Sequence, residues 1–335
     1  MKNITLVTGG TGFIGSHLVE ALVRDGRKVR CLVRKTSDTI YLKSLGAELI
    51  YGDLLDKESL KKAVKNVNVV YHLAARVRPF RIIHITQKLP YIYHKINLIG
   101  TMNLVEACFI EKVKKFIYYS SIAAAGPGID LMENSPCRPI TDYGKSKLAA
   151  ERFLLNFLRD KKFPVIIVRP GQIYGPRNMP MLLLFKFIKK GIFPTLGRGD
   201  NSISFCYVGN LIKGTLLVEQ KGKLGEIYFL VDNSCTLSKF AQAIAKTMDV
   251  RLSRLSLPKD VAYAAAYLKQ IIEKVFHFRV YPFCMDLGIA TVISATTNWT
   301  YSNKKAKEEL GYVPEIDLEK GINLTVKWYR DNGFL

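Results

Sequence analysis

The sequence is short of acids and has no closely paired cysteines. Only 28 Asp and Glu stand against 50 Lys and Arg, a formal charge of +22. Six cysteines, Cys31, Cys108, Cys137, Cys206, Cys235 and Cys284, form no CxxC pair and suit neither a zinc site nor a disulfide framework. Free thiols and no metal are therefore expected. No apolar run reaches the roughly 18 uncharged residues of a spanning helix. The first residues do not read as an export signal, because a short apolar run meets Gly9 almost at once. The expected place is the cytoplasm, with peripheral contact at a membrane as a further option. No internal repeat, low-complexity linker or aromatic-interleaved basic tract is present, which argues against nucleic acid as a partner. The basic excess suits a solvated lysine surface, an anionic membrane face or an anionic cofactor.

What is present is a chain of 335 residues, 48% apolar, enough for one large α/β domain or two smaller ones. Its first half alternates strand and helix patterns. Strands are expected over Lys2–Thr8, Lys28–Val33, Ala47–Tyr51, Val67–Leu73, Lys115–Ser120 and Pro164–Arg169. Helices are expected over Phe13–Arg24, Asp56–Lys65 (with Asp56 as N-cap), Tyr91–Glu111 as one long helix, and Asp142–Arg159. This alternation predicts parallel βαβ units and a doubly wound α/β sheet. After Gly175 the rhythm loosens. Helical stretches at Leu237–Met248, Lys259–Phe276, Lys304–Leu310 and Leu318–Tyr329 suggest a smaller α/β cap. The expected division is 1–175 and 176–335, with some later segments free to return to the first sheet.

Thr8-Gly9-Gly10-Thr11-Gly12-Phe13-Ile14-Gly15 closes the first strand and opens the first helix. Gly9, Gly12 and Gly15 at this spacing let the chain turn tightly, let backbone approach a pyrophosphate, and let helix pack on strand. The N–H groups at Phe13 and Ile14, in the first turn, would face the anion. The second strand ends in Arg34-Lys35 where an acid would hold a ribose 2′-hydroxyl. Two cations suit a 2′-phosphate instead, so NADP(H) is favoured and NAD(H) is the alternative. Asp53, followed by Leu54, sits at the end of the third strand, placed to accept from an adenine amino group or to cap a turn.

Tyr143 and Lys147 lie four apart on a predicted helix and share a face. An ammonium beside a phenol is expected to lower its pKa and make it a usable acid/base. Ser121 ends the preceding strand at the same edge of the sheet, where a hydroxyl would polarise a carbonyl. Ser121, Tyr143 and Lys147 are thus the candidate catalytic set for hydride exchange between nicotinamide and a carbinol carbon.

The ordered set TGGTGFIG (8–15), GDLLD (52–56), HLAA (72–75), Asn97 with Gly100-Thr101, YYSS (118–121), YGKSK (143–147) and RPGQIYGP (169–176) resembles the extended short-chain dehydrogenase/reductase superfamily. That resemblance implies a Rossmann-type doubly wound parallel sheet with a smaller C-terminal substrate domain. It further implies cofactor contacts from Ala74, Ala75, Asn97, Tyr143 and Lys147 and around Pro170 and Ile173, and a homodimer built on the 91–111 and 142–159 helices. Arg34, Ala75-Arg76-Val77 and Ser120 to Pro127 look like the dihydroflavonol reductase and 3β-hydroxysteroid dehydrogenase branch. One departure is Phe205-Cys206-Tyr207-Val208-Gly209-Asn210, which lacks two acids usual there and leaves local capping in doubt. The apolar stretches 179–190 and 262–276, laced with lysines, point to a small hydrophobic alcohol or ketone as substrate. They are core helices or a lipid-facing rim. Two competing readings are a nucleotide-sugar epimerase with tightly held NAD and a non-catalytic NADP(H)-binding sensor or assembly protein.

Overall fold

The computed structural model describes residues 4–77, 89–276 and 289–335. The chain begins β1 (Ile4–Thr8), α1 (Phe13–Arg24), β2 (Lys28–Val33), α2 (Ile40–Ser44), β3 (Glu48–Tyr51), α3 (Lys57–Val64) and β4 (Val67–His72). It continues with α4 (Leu89–Tyr93), a π-helical turn at His94–Ile99, α5 (Gly100–Ile110), β5 (Lys115–Tyr119), α6 (Ile122–Ala125), β6 (Gly128–Leu131), α7 (Asp142–Lys161), β7 (Val165–Pro170) and β8 (Gln172–Tyr174). Then come α8 (Leu182–Lys189), β9 (Ile192–Leu196), β10 (Ser202–Tyr207), α9 (Val208–Lys221), β11 (Ile227–Leu230), β12 (Ser234–Thr236), α10 (Leu237–Met248), β13 (Ser253–Leu257), α11 (Lys259–Phe276), α12 (Ile289–Thr296), β14 (Trp299–Tyr301), α13 (Lys304–Leu310) and α14 (Leu318–Asp331).

Seven strands form one parallel sheet in the order β11-β7-β5-β4-β1-β2-β3. This is the doubly wound Rossmann-type arrangement. Alternation along β5 shows why it needs helices on both faces. Phe116 and Tyr118 pack into one apolar cluster, Ile117 and Tyr119 into the other, and all four are buried. The edge strand β11 comes from beyond residue 175 and pairs with β7. Later segments join β6 and β8 in a smaller sheet, β12-β10-β14-β6 with β8 on β10, and form a two-stranded ladder of β9 and β13.

Local chemistry sets the helix ends that position the site. Asp56 caps α3, its Oδ1 accepting from the N–H groups of Glu58 and Ser59 at 3.1 and 3.3 Å. Thr141 caps α7 through Gly144 N–H at 3.0 Å. Two expectations are corrected. The helix expected over Tyr91–Glu111 runs unbroken from Leu89 to Ile110 but is not α-helical throughout: His94–Ile99 is a π-turn, which carries the buried Asn97. The doubt over the 205–210 run is resolved by an acid from elsewhere. Asp232, beyond β11, accepts from Tyr207 N–H at 2.7 Å and from Asn210 Nδ2 at 3.0 Å. Asn210 Oδ1 in turn accepts from the N–H groups of Glu315 and Ile316, both at 3.1 Å. Burial pushes the Asp232 carboxyl up to about 6.

Candidate active site

The Gly-rich turn lies between β1 and α1, against the end of β4. Gly9 has φ +78°, and a Cβ there would stand 2.7 Å from Ala74 N. A Cβ on Gly15 would stand 2.1 Å from Gly9 O, so no larger residue fits between helix and turn. Gly12 opens α1 without a side-chain cap, which leaves the first-turn N–H groups of Phe13 and Ile14 unclaimed by side chains. These features fit a dinucleotide pyrophosphate, by close backbone approach and by the helix N-terminal field. In the β1–β2 register Thr8 pairs with Leu32, so Arg34 and Lys35 emerge beside the turn. Both are exposed, and neither is ion-paired among the described residues. Asp53, also exposed, accepts from Leu55 N–H at 3.0 Å through Oδ1. Leu54 is buried beneath Gly100.

A hydrogen-bonded chain beneath the turn was not read from the sequence. Ala74 N–H donates to Thr8 Oγ1 at 3.2 Å, and Thr8 donates to His72 Nδ1 at 2.7 Å. His72 Nε2–H donates to Thr101 Oγ1 at 2.9 Å, which donates to Asn97 O at 2.7 Å. The pattern is self-consistent only for neutral imidazole protonated on Nε2. Burial, with the charge of Lys147 in the same direction, pushes His72 down to about 3. Asn97 continues the chain. Its Oδ1 accepts from Arg76 N–H at 2.7 Å, and its Nδ2 donates to Arg76 O at 3.0 Å and to Ser146 Oγ at 2.9 Å. Ser146 then donates to Tyr143 O at 2.7 Å. Asn97, expected to touch cofactor, is 1% exposed with its amide engaged within the protein. It clamps the segment after β4 to α7. The HLAA and Asn–Gly–Thr patterns were visible, but nothing local shows that His72 meets Thr8 and Thr101.

This wiring predicts acid sensitivity. A histidine held near 3 in the fold and near 6.5 unfolded binds its proton mainly in the unfolded chain, so stability is present above about 6.5 and falls as pH drops. Between pH 6.5 and 5 the loss from His72 alone is about 2 kcal/mol. Urea melts across that range should show the decline, with His72→Gln flattening it. An unchanged slope in the variant would remove His72 as the cause.

The candidate catalytic set converges at the carboxyl edge of the sheet. Ser121 follows β5 and caps α6, Oγ accepting from Ala123 N–H at 3.1 Å. Tyr143 and Lys147 lie one turn apart on α7. Tyr143 packs edge-on to Tyr93 at 6.3 Å, and Lys147 Nζ sits over the Tyr118 ring at 4.3 Å. Pro170 is buried at the end of β7, and Ile173 is half-buried in β8, its carbonyl accepting from Asn178 Nδ2 at 2.9 Å. The expected lowering of Tyr143 is corrected. Burial pushes it up to about 12, with the Ser121 hydrogen bond working the other way. Burial pushes Lys147 down to about 7 against the pull of Glu151. The ammonium does not bring the phenol down, because both groups are desolvated together.

Glu151, one turn beyond Lys147, is the second feature missed from sequence. It accepts from Arg169 Nε at 2.9 Å and Nη2 at 2.6 Å, and both side chains are 2% exposed. Arg169 immediately precedes Pro170, so the pair ties α7 to the strand end that borders the site.

Comparison with known proteins agrees with this fold. Residues 5–230 match the model of the NAD dependent epimerase/dehydratase family. A 4-hydroxy-2-methyl-3-oxo-4-farnesyl-3,4-dihydroquinoline-1-oxide ketoreductase of Stigmatella aurantiaca is 28% identical, covering 95% of this chain and 94% of its own. A dTDP-D-glucose 4,6-dehydratase of Bos taurus is 30% identical over 98% of this chain and 88% of its own. A sterol-4-alpha-carboxylate 3-dehydrogenase (decarboxylating) of Dictyostelium discoideum is 28% identical over 96% and 99%. The solved structure of gox2253 superposes with a TM-score of 0.85 at 30% identity, covering 99% of both chains. The resemblance to the extended short-chain dehydrogenase/reductases, with 3β-hydroxysteroid dehydrogenase-like neighbours, therefore holds across nearly the whole chain. This chain belongs to the NAD dependent epimerase/dehydratase family and is a nicotinamide-dependent oxidoreductase.

Proposed function

We propose that the protein exchanges a hydride between NADP(H) and a secondary alcohol or ketone carried on an apolar molecule. The observation that carries this reading is the meeting of Ser121, Tyr143 and Lys147 beside the glycine turn, with Arg34 and Lys35 exposed at its flank. A bound nicotinamide supplies the hydride. The chain's own residues do the rest. Tyr143 holds its proton at neutral pH and gives it to the oxygen of the carbonyl being reduced. Ser121 orients that oxygen by hydrogen bonding, and Lys147 holds the nicotinamide ribose. An apolar substrate is supported by two relatives whose names specify a farnesyl-bearing ketone and a sterol. Ile122 and Ala123 follow Ser121, so the acid pair expected of a 4,6-dehydratase is missing.

The experiment is to denature the purified protein, identify any released dinucleotide, and titrate the stripped chain with NADH and NADPH. The expected result is an empty protein that prefers NADPH, with Arg34→Ala losing about tenfold or more of that preference. Equal binding of both dinucleotides, unchanged by Arg34→Ala, would remove the phosphate assignment. Tightly retained NAD would favour an epimerase reading and would make nucleotide sugars the first substrates to try. Otherwise a panel of apolar ketones follows.

A further inference from the structure

We infer that α11 docks the protein on an anionic lipid bilayer. The helix is turned inside out relative to a normal surface helix. Its inward face is small: Ala262 and Ala266 are buried and pack with Val292 of α12. Its outward positions are Val261, Ala264, Ala265, Leu268, Ile271 and Ile272, all exposed. At about 100° per residue these six fall within an arc of about 120° that contains no charged or polar residue. The large ones are far from covered, with Val261 51%, Leu268 58%, Ile271 43% and Ile272 38% exposed. An apolar face of this kind marks an interaction surface.

The surrounding charge selects the partner. The β9–β13 ladder that leads into α11 connects at its other end to Lys189, Lys190 and Arg251, and Lys186 lies one turn back on α8. All four cations are exposed. Leu183 of α8, 42% exposed, stands among these lysines. The acids on α11 are Asp260, beside Lys259, and Glu273, beside Lys274. A greasy stripe on a chain of net charge +22, with these four cations at the far end of the ladder that leads to it, matches a bilayer interface with negative headgroups. Among the described residues, no helix is long and apolar enough to cross a membrane, so the contact is peripheral.

The test is flotation of the full chain with phosphatidylcholine vesicles, with and without phosphatidylglycerol, at low and high salt. The expected result is binding to the anionic vesicles only, reversed by salt, and lowered about tenfold or more by Leu268→Glu with Ile271→Glu. Leu268→Trp should report insertion by a blue shift of emission on addition of anionic vesicles. Thermal melts and dinucleotide titration of the variants control for folding. No vesicle binding overturns the proposal. So does undiminished binding by the double glutamate variant, which would assign the attraction to the general basic surface. A fall in the solution mass of the protein on the same substitutions, without vesicles, would overturn it in favour of a second copy covering the stripe.

Discussion

Tyr143→Phe should lower turnover by about 10²- to 10⁴-fold while leaving dinucleotide binding within about threefold. The asymmetry follows from what the substitution removes. The ring keeps its edge contact with Tyr93, and α7 keeps its Thr141 cap, so the site should not collapse. What disappears is the acidic proton. With the phenol held at about 12, Tyr143 is fully protonated at neutral pH and poised to donate. The assay is oxidation of the reduced dinucleotide with whichever apolar ketone the native protein reduces fastest. Near-native turnover would mean that another group supplies the proton. A parallel loss of dinucleotide affinity would mean that the hydroxyl positions the cofactor.

The direction of the Tyr143 shift shows where sequence reading stops. A lysine four residues away is visible in the sequence, and so is the shared helix face. The depth at which both groups lie is not, because it depends on elements from elsewhere in the chain, with Tyr93 of α4 against Tyr143 and Tyr118 of β5 beneath Lys147. The same distinction runs through the fold. Phe13–Arg24, Leu237–Met248 and Lys304–Leu310 were legible to the residue, because apolar periodicity and turn residues at their ends are local. Asp56 was legible as a cap for the same reason. The π-turn at His94–Ile99 was not, since no residue type marks where i→i+5 bonds replace i→i+4 bonds. Nor were β6, β8, β10 and β14, short strands held by partners far along the chain, as Trp299 is by Gly128. The glycine turn and the Ser121, Tyr143 and Lys147 set could be found from spacing. His72, Thr101 and Glu151 could not, because their partners lie in other elements.

Glu151→Ala should be the most destabilising single change near the site, by about 3–5 kcal/mol. That would take a large part of a typical total stability of about 5–15 kcal/mol. The carboxylate receives two hydrogen bonds from Arg169, and neither side chain reaches water. Without it, the guanidinium is buried with no counter-charge, and it cannot shed its proton as a lysine would. Glu151 is also the carboxylate that draws Lys147 upward against burial. Its loss leaves two buried cations, and the one able to neutralise is Lys147. The variant should therefore titrate Lys147 below about 7, so that the ammonium is lost at neutral pH. Equilibrium urea melts measure the first effect. The pH dependence of dinucleotide affinity measures the second, the break moving to lower pH in Glu151→Gln, which keeps an acceptor for Arg169 and remains foldable. Replacing the pair together, as Glu151→Leu with Arg169→Met, should recover much of the lost stability, since the penalty comes from orphaning one charge. A loss under about 1 kcal/mol in Glu151→Ala would show that water or another acceptor reaches Arg169. An unmoved break in Glu151→Gln would show that Lys147 takes its charge state from the surrounding strands alone.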